Sequence, residues 1–448
     1  MISAALPDSL VANISQLAFM PGDATHLFAV RPDGGDVMRY DFAADGTLSN
    51  PHRVASGLTY PLGLAFRDDD LYVSVNPAGD GRIARLRDLD HDGFFEDRAD
   101  FVRGIPLKEH MVDQLQVHGA SLYASIGTRS DGGLPTCERI YCGVIARIGD
   151  LDQVDYSPGA NALPDSLTFI NSAVSDGLLR RYAYGFRNPF GLRVDPIGNV
   201  WTSDNGASLC TTCSSCNRYP IDTPDFFYGP VPVGARGEFP PAGQPGGGGA
   251  TLAPISNLGF HPAVTGFAFV PSGPDAGQIL LAEFGPTDTT IVIGRDVAKI
   301  DPASGAVSPF IAGFAGPTDI LPDANGRLLI ADYLAPAIYL LTPPGNVAVQ
   351  SEARSTRAIE ILAIEPNPLQ VATSVFYRLS QSARVAIEIR DVTGRRVASL
   401  LDAWQPAGRS QVTWNGRDAA GRSAPPGLYF CRASAAGGSV VARLARVR

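Results

Sequence analysis

The sequence predicts an all-β protein, a six-bladed β-propeller followed by a small β-sandwich, and three observations predict it. A phrase of apolar strand, polar turn, second apolar strand, turn and third strand recurs six times from Gln16 onward. Units too small for a core of their own, repeated in this way, are the signature of blades around an axis. The chain holds 48 Gly and 36 Pro, the supply of turns that many short strands need. After a polar connector, the C-terminal part alternates apolar and polar residues with turn signals every 8 to 12 or so positions, the pattern of a sandwich.

Taken in order, the first copy is QLAFMPGDATHLFAVRPDGGDVMRYDF from Gln16 and the second PLGLAFRDDDLYVSVNPAGDGRIARLRDL from Pro61. The third, DQLQVHGASLYASIGTRSDG from Asp113, finds its third strand in GVIARIG, after the loop holding Cys137 and Cys142. The fourth is PFGLRVDPIGNVWTSDNG from Pro189, the fifth VTGFAFVPSGPDAGQILLAEFG from Val264 completed by VAKID, and the sixth PTDILPDANGRLLIADYLAPAIYLLTP from Pro317. The expected boundaries are 1–344 for the propeller, 345–357 for a linker and 358–448 for the sandwich. In the fourth copy, two strands joined by an Asp-Pro-x-Gly turn carry Arg187-Asn188 before the first and Asp204-Asn205-Gly206 after the second. A hairpin brings its two outer ends to one side, so both polar groups are expected on one rim.

Hydrophobic residues make up 45% of the chain and charged ones 18%, the balance of a folded globular protein. A net charge of −9 argues against nucleic acid or an anionic membrane surface as partner. No apolar run reaches the roughly 18 residues of a transmembrane segment. The opening MISAALPDSLVANISQLAF lacks a basic stretch followed by a continuous apolar one, so no signal peptide is evident in it. Five of the six cysteines, Cys137, Cys142, Cys210, Cys213 and Cys216, crowd into two polar loops. They read as disulfide staples of an exported protein, with zinc on the Cys-x-x-Cys-x-x-Cys run as the other reading. Cys431, inside a strand, reads as a buried free thiol. Asp88, Asp90, Asp92 and Gly93, in DLDHDGFFED, keep the opening spacing of an EF-hand-like loop. Position 12 is Ala99, so Glu96 or Asp97 would close a calcium shell; a solvated acidic turn is the alternative.

GFRNPFGL at Gly185–Leu192, the DNG at Asp204, the KEH at Lys108–His110 and HPAVTGFAFV from His261 resemble the quinoprotein glucose/sorbosone dehydrogenases. These are six-bladed propellers that oxidise sugars with pyrroloquinoline quinone (PQQ) and calcium. The resemblance implies His110 as the base that takes the alcohol proton while hydride passes to the quinone, with Glu109 orienting its ring. It implies Arg187 and Asn188 as cofactor contacts, Arg187 also stabilising the reduced anion. It implies the carbonyls of Gly206 and Ala207 as calcium ligands. Asp204 is either a ligand or a turn cap. The family's further clamping cations in blades five and six have no counterpart in EFGPTDTT from Glu283 or GPTDIL from Gly316. That departure supports a second reading, a non-catalytic surface propeller that binds carbohydrate or protein. The strand VAIEIRDVTGRRV, the run AGRSQVTWNGRDAAGR, GLYFCR and Asn367-Pro368 resemble the FlgD-like immunoglobulin fold and the type IX secretion sorting domain. The expected fold is therefore a propeller with a C-terminal immunoglobulin-like β-sandwich. The expected location is extracellular or on the cell surface, with the periplasm also open, and the expected partners are a sugar and, through the C-terminal domain, secretion or attachment machinery.

Overall fold

In the computed structural model of the protein, the described residues are 2–3, 11–129, 142–156, 179–207, 223–239, 250–259, 261–285 and 294–342. In the C-terminal part they are 359–365, 369–379, 382–391, 395–405, 408–425, 427–435 and 438–447. Apart from short helical turns, the regular elements among them are strands. Two compact units divide the chain, the first Met1–Pro286 with Ile293–Gly345, the second containing Asn346–Arg448.

The first unit is a six-bladed propeller built from six four-stranded antiparallel sheets. Blade one runs Gln16–Phe19, His26–Arg31, Asp36–Phe42 and Leu48–Ala55 from the axis outward, and blades two to five repeat that order. Their innermost strands are Leu64–Arg67, Val112–His118, Leu192–Val194 and Val264–Phe269. Blade six has Pro317–Pro322, Leu328–Asp332 and Ala337–Leu341, and its outer strand is Ile2–Ser3 from the other end of the chain, with Ile2 opposite Leu340. The N-terminus thus closes the ring, which a two-residue strand cannot announce in sequence.

Each apolar cluster forms between neighbouring blades rather than within one. Leu17, Leu27 and Tyr40 of blade one pack with Leu329 and Leu340 of blade six, and Phe28 and Val37 with Leu71 and Val73 of blade two. Similar clusters join blades two to three, three to four, four to five and five to six, closing the circle. A blade therefore buries its faces only in the company of its neighbours.

A recurring turn fixes several hairpins. In Asp195-Pro-Ile-Gly198 and Asp323-Ala-Asn-Gly326 the aspartate Oδ1 accepts the N–H four residues on, from Asn199 and Arg327 at 2.8 Å each. The glycines lie at φ 92° and 75°, a left-handed backbone that glycine adopts without a Cβ clash.

The axis is bound by a polar ring that the sequence reading did not anticipate. Gln16 Oε1 accepts from Leu64 N at 3.0 Å and Leu115 N at 3.3 Å, joining blades one, two and three. Gln114 Oε1 accepts from Leu192 N and Arg193 Nη1, both at 3.0 Å, while its Nε2 donates to Thr265 O at 2.9 Å. Arg193 pairs with Asp319 of blade six, whose Oδ2 accepts from Leu17 N of blade one at 2.9 Å. All six inner strands are thereby tied by four buried side chains, Gln16, Gln114, Arg193 and Asp319.

The second unit has a three-stranded sheet, Ile359–Glu365, Thr373–Leu379 and Gly408–Trp414. Its partner is a four-stranded sheet ordered Arg396–Gln405, Ala383–Asp391, Gly427–Ala435 and Gly438–Arg446. Its core holds Tyr377, Val385, Ile387, Trp414 and Cys431. Trp414 Nε1 donates to Arg417 O at 2.8 Å, so the indole is buried without an orphaned N–H. Cys431 is a free, fully buried thiol, as expected.

Candidate functional site

Antiparallel blades place the connection into each inner strand, and the one after each second strand, at the same end of the sheet. His110 precedes the inner strand of blade three and Thr128 follows its second strand; Arg187-Asn188 and Asp204–Ala207 hold the same stations in blade four. All therefore occupy one face of the propeller, which is what the hairpin argument required.

His110 is partly buried, and its Nδ1 lies 2.9 Å from the carbonyl of Thr128. A carbonyl only accepts, so Nδ1 carries the proton and Nε2 keeps its lone pair. Burial of the ring and then the charge of Arg187 hold its pKa down at about 3, against the lesser pull of the Thr128 bond. The imidazole is thus neutral. An added Cβ on Gly127 would fall 2.3 Å from His110 Cβ and 2.7 Å from Asn188 Oδ1, so the glycine lets those two residues close on one point. Thr128 N donates to Arg187 O at 2.8 Å, joining the two blades there.

Asp204 is a turn cap. Its carboxylate accepts the backbone N–H groups of Arg187 at 3.0 Å and Asn188 at 2.8 Å, which fixes the Arg-Asn pair. Burial raises its pKa to about 7 despite those bonds and the charge of Arg187. Arg187, buried, donates from Nη1 to Asn205 O at 3.0 Å. Asp225, its pKa raised by burial to about 6, accepts from Gly206 N and Ala263 N at 2.7 Å each. Gly206 has to be glycine, because a Cβ would stand 2.1 Å from Thr223 O and 2.5 Å from Pro224 O. Ala207 is fully buried, and its carbonyl already accepts from Thr223 N at 3.0 Å, leaving one lone pair. A pocket of about 190 Å³ opens here, lined by Arg187, Asp204, Gly206, Thr223, Phe226 and Glu238 among others.

Two buried acceptors on this face, Asn188 Oδ1 and Asn205 Oδ1, have no partner among the described residues. Buried acceptors normally have one, so a donor or a cation fits both. Blade five offers a cation that the sequence reading overlooked. Arg295, half-buried at φ 60°, enters the third strand of that blade from the same face, and its Nε has no partner among the described residues. It sits in a Gly-Arg-Asp turn beyond EFGPTDTT, and a tight turn gave no signal of a site. At blade six the junction Gly316–Thr318 carries no cation.

In the acidic loop of blade two, ligand oxygens of Asp88, Asp90 and Glu96 gather within 4.8 Å of one another. Asp88 Oδ1 is buried without a partner among the described residues. Asp92 does not join the group; its Oδ1 accepts from Phe94 N at 2.8 Å. Asp97 is paired with Arg87 at 2.6 Å, and it is Glu96 that gathers with Asp88 and Asp90. Of the loop cysteines, Cys142 is buried with Sγ 3.7 Å from Pro106 O; Cys137, Cys210, Cys213 and Cys216 lie outside the described residues. No helix among the described residues is long and apolar enough to cross a membrane.

Comparison with known proteins finds a FlgD Ig-like domain over residues 369–439 and no significant match among curated proteins. Solved structures share the fold. The holo PQQ domain of pyranose dehydrogenase from Coprinopsis cinerea is 16% identical over 73% of this chain and 92% of that one, with a TM-score of 0.55. The PQQ-bound aldose sugar dehydrogenase from Streptomyces coelicolor is 20% identical over 73% and 93%, TM-score 0.53. The calcium structure of a Trichoderma reesei Carbohydrate-Active Enzymes Family AA12 protein is 15% identical over 75% and 93%, TM-score 0.54. At such identities the likeness is one of fold, and function rests on the site. The chain thus joins the six-bladed propeller fold of PQQ-bound sugar dehydrogenases to a FlgD Ig-like domain.

Proposed function

We propose that the propeller is a PQQ- and calcium-dependent sugar dehydrogenase, oxidising a carbohydrate CH–OH group. The observation that carries this reading is the meeting, around Gly127, of a neutral imidazole and the Oδ1 of Asn188, where neither His110 Nε2 nor that Oδ1 has a partner among the described residues. When bound, PQQ supplies a two-electron acceptor and calcium polarises it. Arg187, with Arg295 from blade five, would hold its carboxylates, and Asn188 would orient it. The carbonyls of Gly206 and Ala207 would hold the calcium, an oxygen-only set that suits a hard cation. His110 Nε2 takes the proton of the sugar hydroxyl, while Thr128 keeps the ring in the required tautomer. The test is reconstitution with PQQ and calcium followed by dye reduction with a panel of aldoses. Turnover that needs all three components is expected; a fully reconstituted protein without turnover would refute the reading.

A second reading, a non-catalytic propeller that binds carbohydrate or protein, is favoured by one observation: blade six presents Gly316–Thr318 where a clamping cation is expected. We also propose that the FlgD Ig-like domain serves export or surface attachment, placing the protein outside the cell or in the periplasm, and that pairing of the loop cysteines braces the propeller there.

Asp88, Asp90 and Glu96 are proposed as a second, structural calcium site, with Asp92 supporting the loop. Calcium is expected to raise the unfolding midpoint of the wild type, and Asp88→Asn to remove most of the part that PQQ does not require. An identical calcium response in that variant would count against the site.

A further inference from the structure

On the face that carries His110, the opposite sector of the propeller gathers aromatic and acidic side chains that the proposed chemistry does not use. Asp33, Phe284 and Tyr333 follow the second strands of blades one, five and six, and Tyr60 precedes the inner strand of blade two. Tyr333 Oη donates to Asp33 Oδ2 at 2.9 Å and also bonds the Tyr60 side chain. The Phe284 and Tyr333 rings meet edge to face at 6.1 Å. Tyr60 is 38% exposed.

Tyr60 is also strained. Its φ is 43°, a left-handed backbone that bulky side chains avoid. Such a conformation persists where the surroundings over-determine it, and it clusters at ligand sites. Here Asn76, 5% exposed, does so: its N donates to Thr59 O at 2.7 Å and its Nδ2 to Tyr60 O at 2.9 Å. The same amide brackets Val112, two residues beyond His110, donating to its carbonyl at 3.1 Å and accepting from its N–H at 3.0 Å. One buried side chain thus sets the exposed tyrosine and the start of the strand that follows the histidine.

We propose that Tyr60, Tyr333 and Asp33 form a saccharide subsite, so that the ligand of this face is an oligosaccharide. An aromatic ring face is electron-rich and takes the C–H face of a pyranose, while a carboxylate accepts its hydroxyls. Asp33 and Tyr333 belong to blades one and six, across the axis from blades three and four, and Tyr60 of blade two reaches them by its bond to Tyr333, so a ring held by this cluster is a different ring from the one at His110. The inference rests on the carbohydrate reading of this face and needs neither cofactor nor turnover.

The test is calorimetric titration of the full chain, without PQQ, with glucose, maltotriose, cellotriose and xylotriose. At least one trisaccharide is expected to bind roughly tenfold tighter than glucose. Tyr60→Gly removes the ring while suiting the left-handed backbone, so it should abolish that preference without lowering the unfolding midpoint. Asp33→Asn should weaken trisaccharide binding several-fold. Equal affinities for glucose and all three trisaccharides, or a preference that survives Tyr60→Gly, would overturn the proposal. Dye reduction separates the two claims: turnover that persists while the Tyr60→Gly preference is unchanged removes the subsite alone. A preference lost in Tyr60→Gly, in a protein that never turns over, supports the subsite and removes the dehydrogenase.

Discussion

Replacing Arg193 by alanine is expected to destabilise the propeller by about 3–5 kcal/mol, the cost of breaking a buried ion pair from one side. The guanidinium touches Gln114 Oε1, Asp319 and Ile320 O, so blades three and six both lose a partner at once. Asp319, fully buried, would be left with no cation beside it; burial already raises its pKa, and losing the opposing charge of Arg193 raises it further, so ionising that carboxyl becomes costly. The double variant Arg193→Met with Asp319→Asn removes that charge and retains an acceptor for Leu17 N. It should therefore recover a large part of the loss. Urea denaturation followed by circular dichroism measures both, and a single variant within about 1 kcal/mol of wild type would show that the axial ring contributes little.

That ring marks where sequence reading ran out. Period-two alternation and Asp-x-x-Gly turns made the six repeats visible, because strand pairing and turn geometry are local properties of the chain. Gln16, Gln114 and Arg193 are polar residues in short inner strands, and only closure of the circle gives them partners 48 to 205 residues away. The strand Ile2–Ser3 is too short to show a period. At the site, the residue types of the Arg-Asn pair and of His110 were readable. Their support was not: the Thr128 carbonyl that fixes the tautomer and the Asp204 carboxylate that caps the Arg-Asn turn are separate segments folded back. Arg295 was missed because a cation in a Gly-Arg-Asp turn looks like any exposed arginine until the blade places it on the face that carries His110.

Replacing His110 by alanine is expected to lower turnover by about 10²–10⁴-fold, the usual contribution of a positioned general base, while PQQ affinity changes little. With its pKa held near 3, the imidazole stays unprotonated through the mildly acidic range, where an unperturbed histidine would gain its proton near pH 6.5. Its ring ¹⁵N signals should accordingly show a neutral Nδ1–H tautomer from about pH 8 down to about pH 5. Unaltered turnover in His110→Ala would move the base elsewhere. A titration near pH 6.5 would show that the ring is more solvated than its packing against Thr128 and Arg187 implies.

The central claim, that this face holds PQQ through calcium, Arg187 and Asn188, is tested most directly by titrating the purified protein with PQQ by absorbance and calorimetry, with and without calcium. A saturable, calcium-dependent complex that Arg187→Ala weakens at least tenfold is the expected result. Absence of binding at saturating calcium, or binding indifferent to both calcium and Arg187, would contradict it and leave the propeller a carbohydrate- or protein-binding surface.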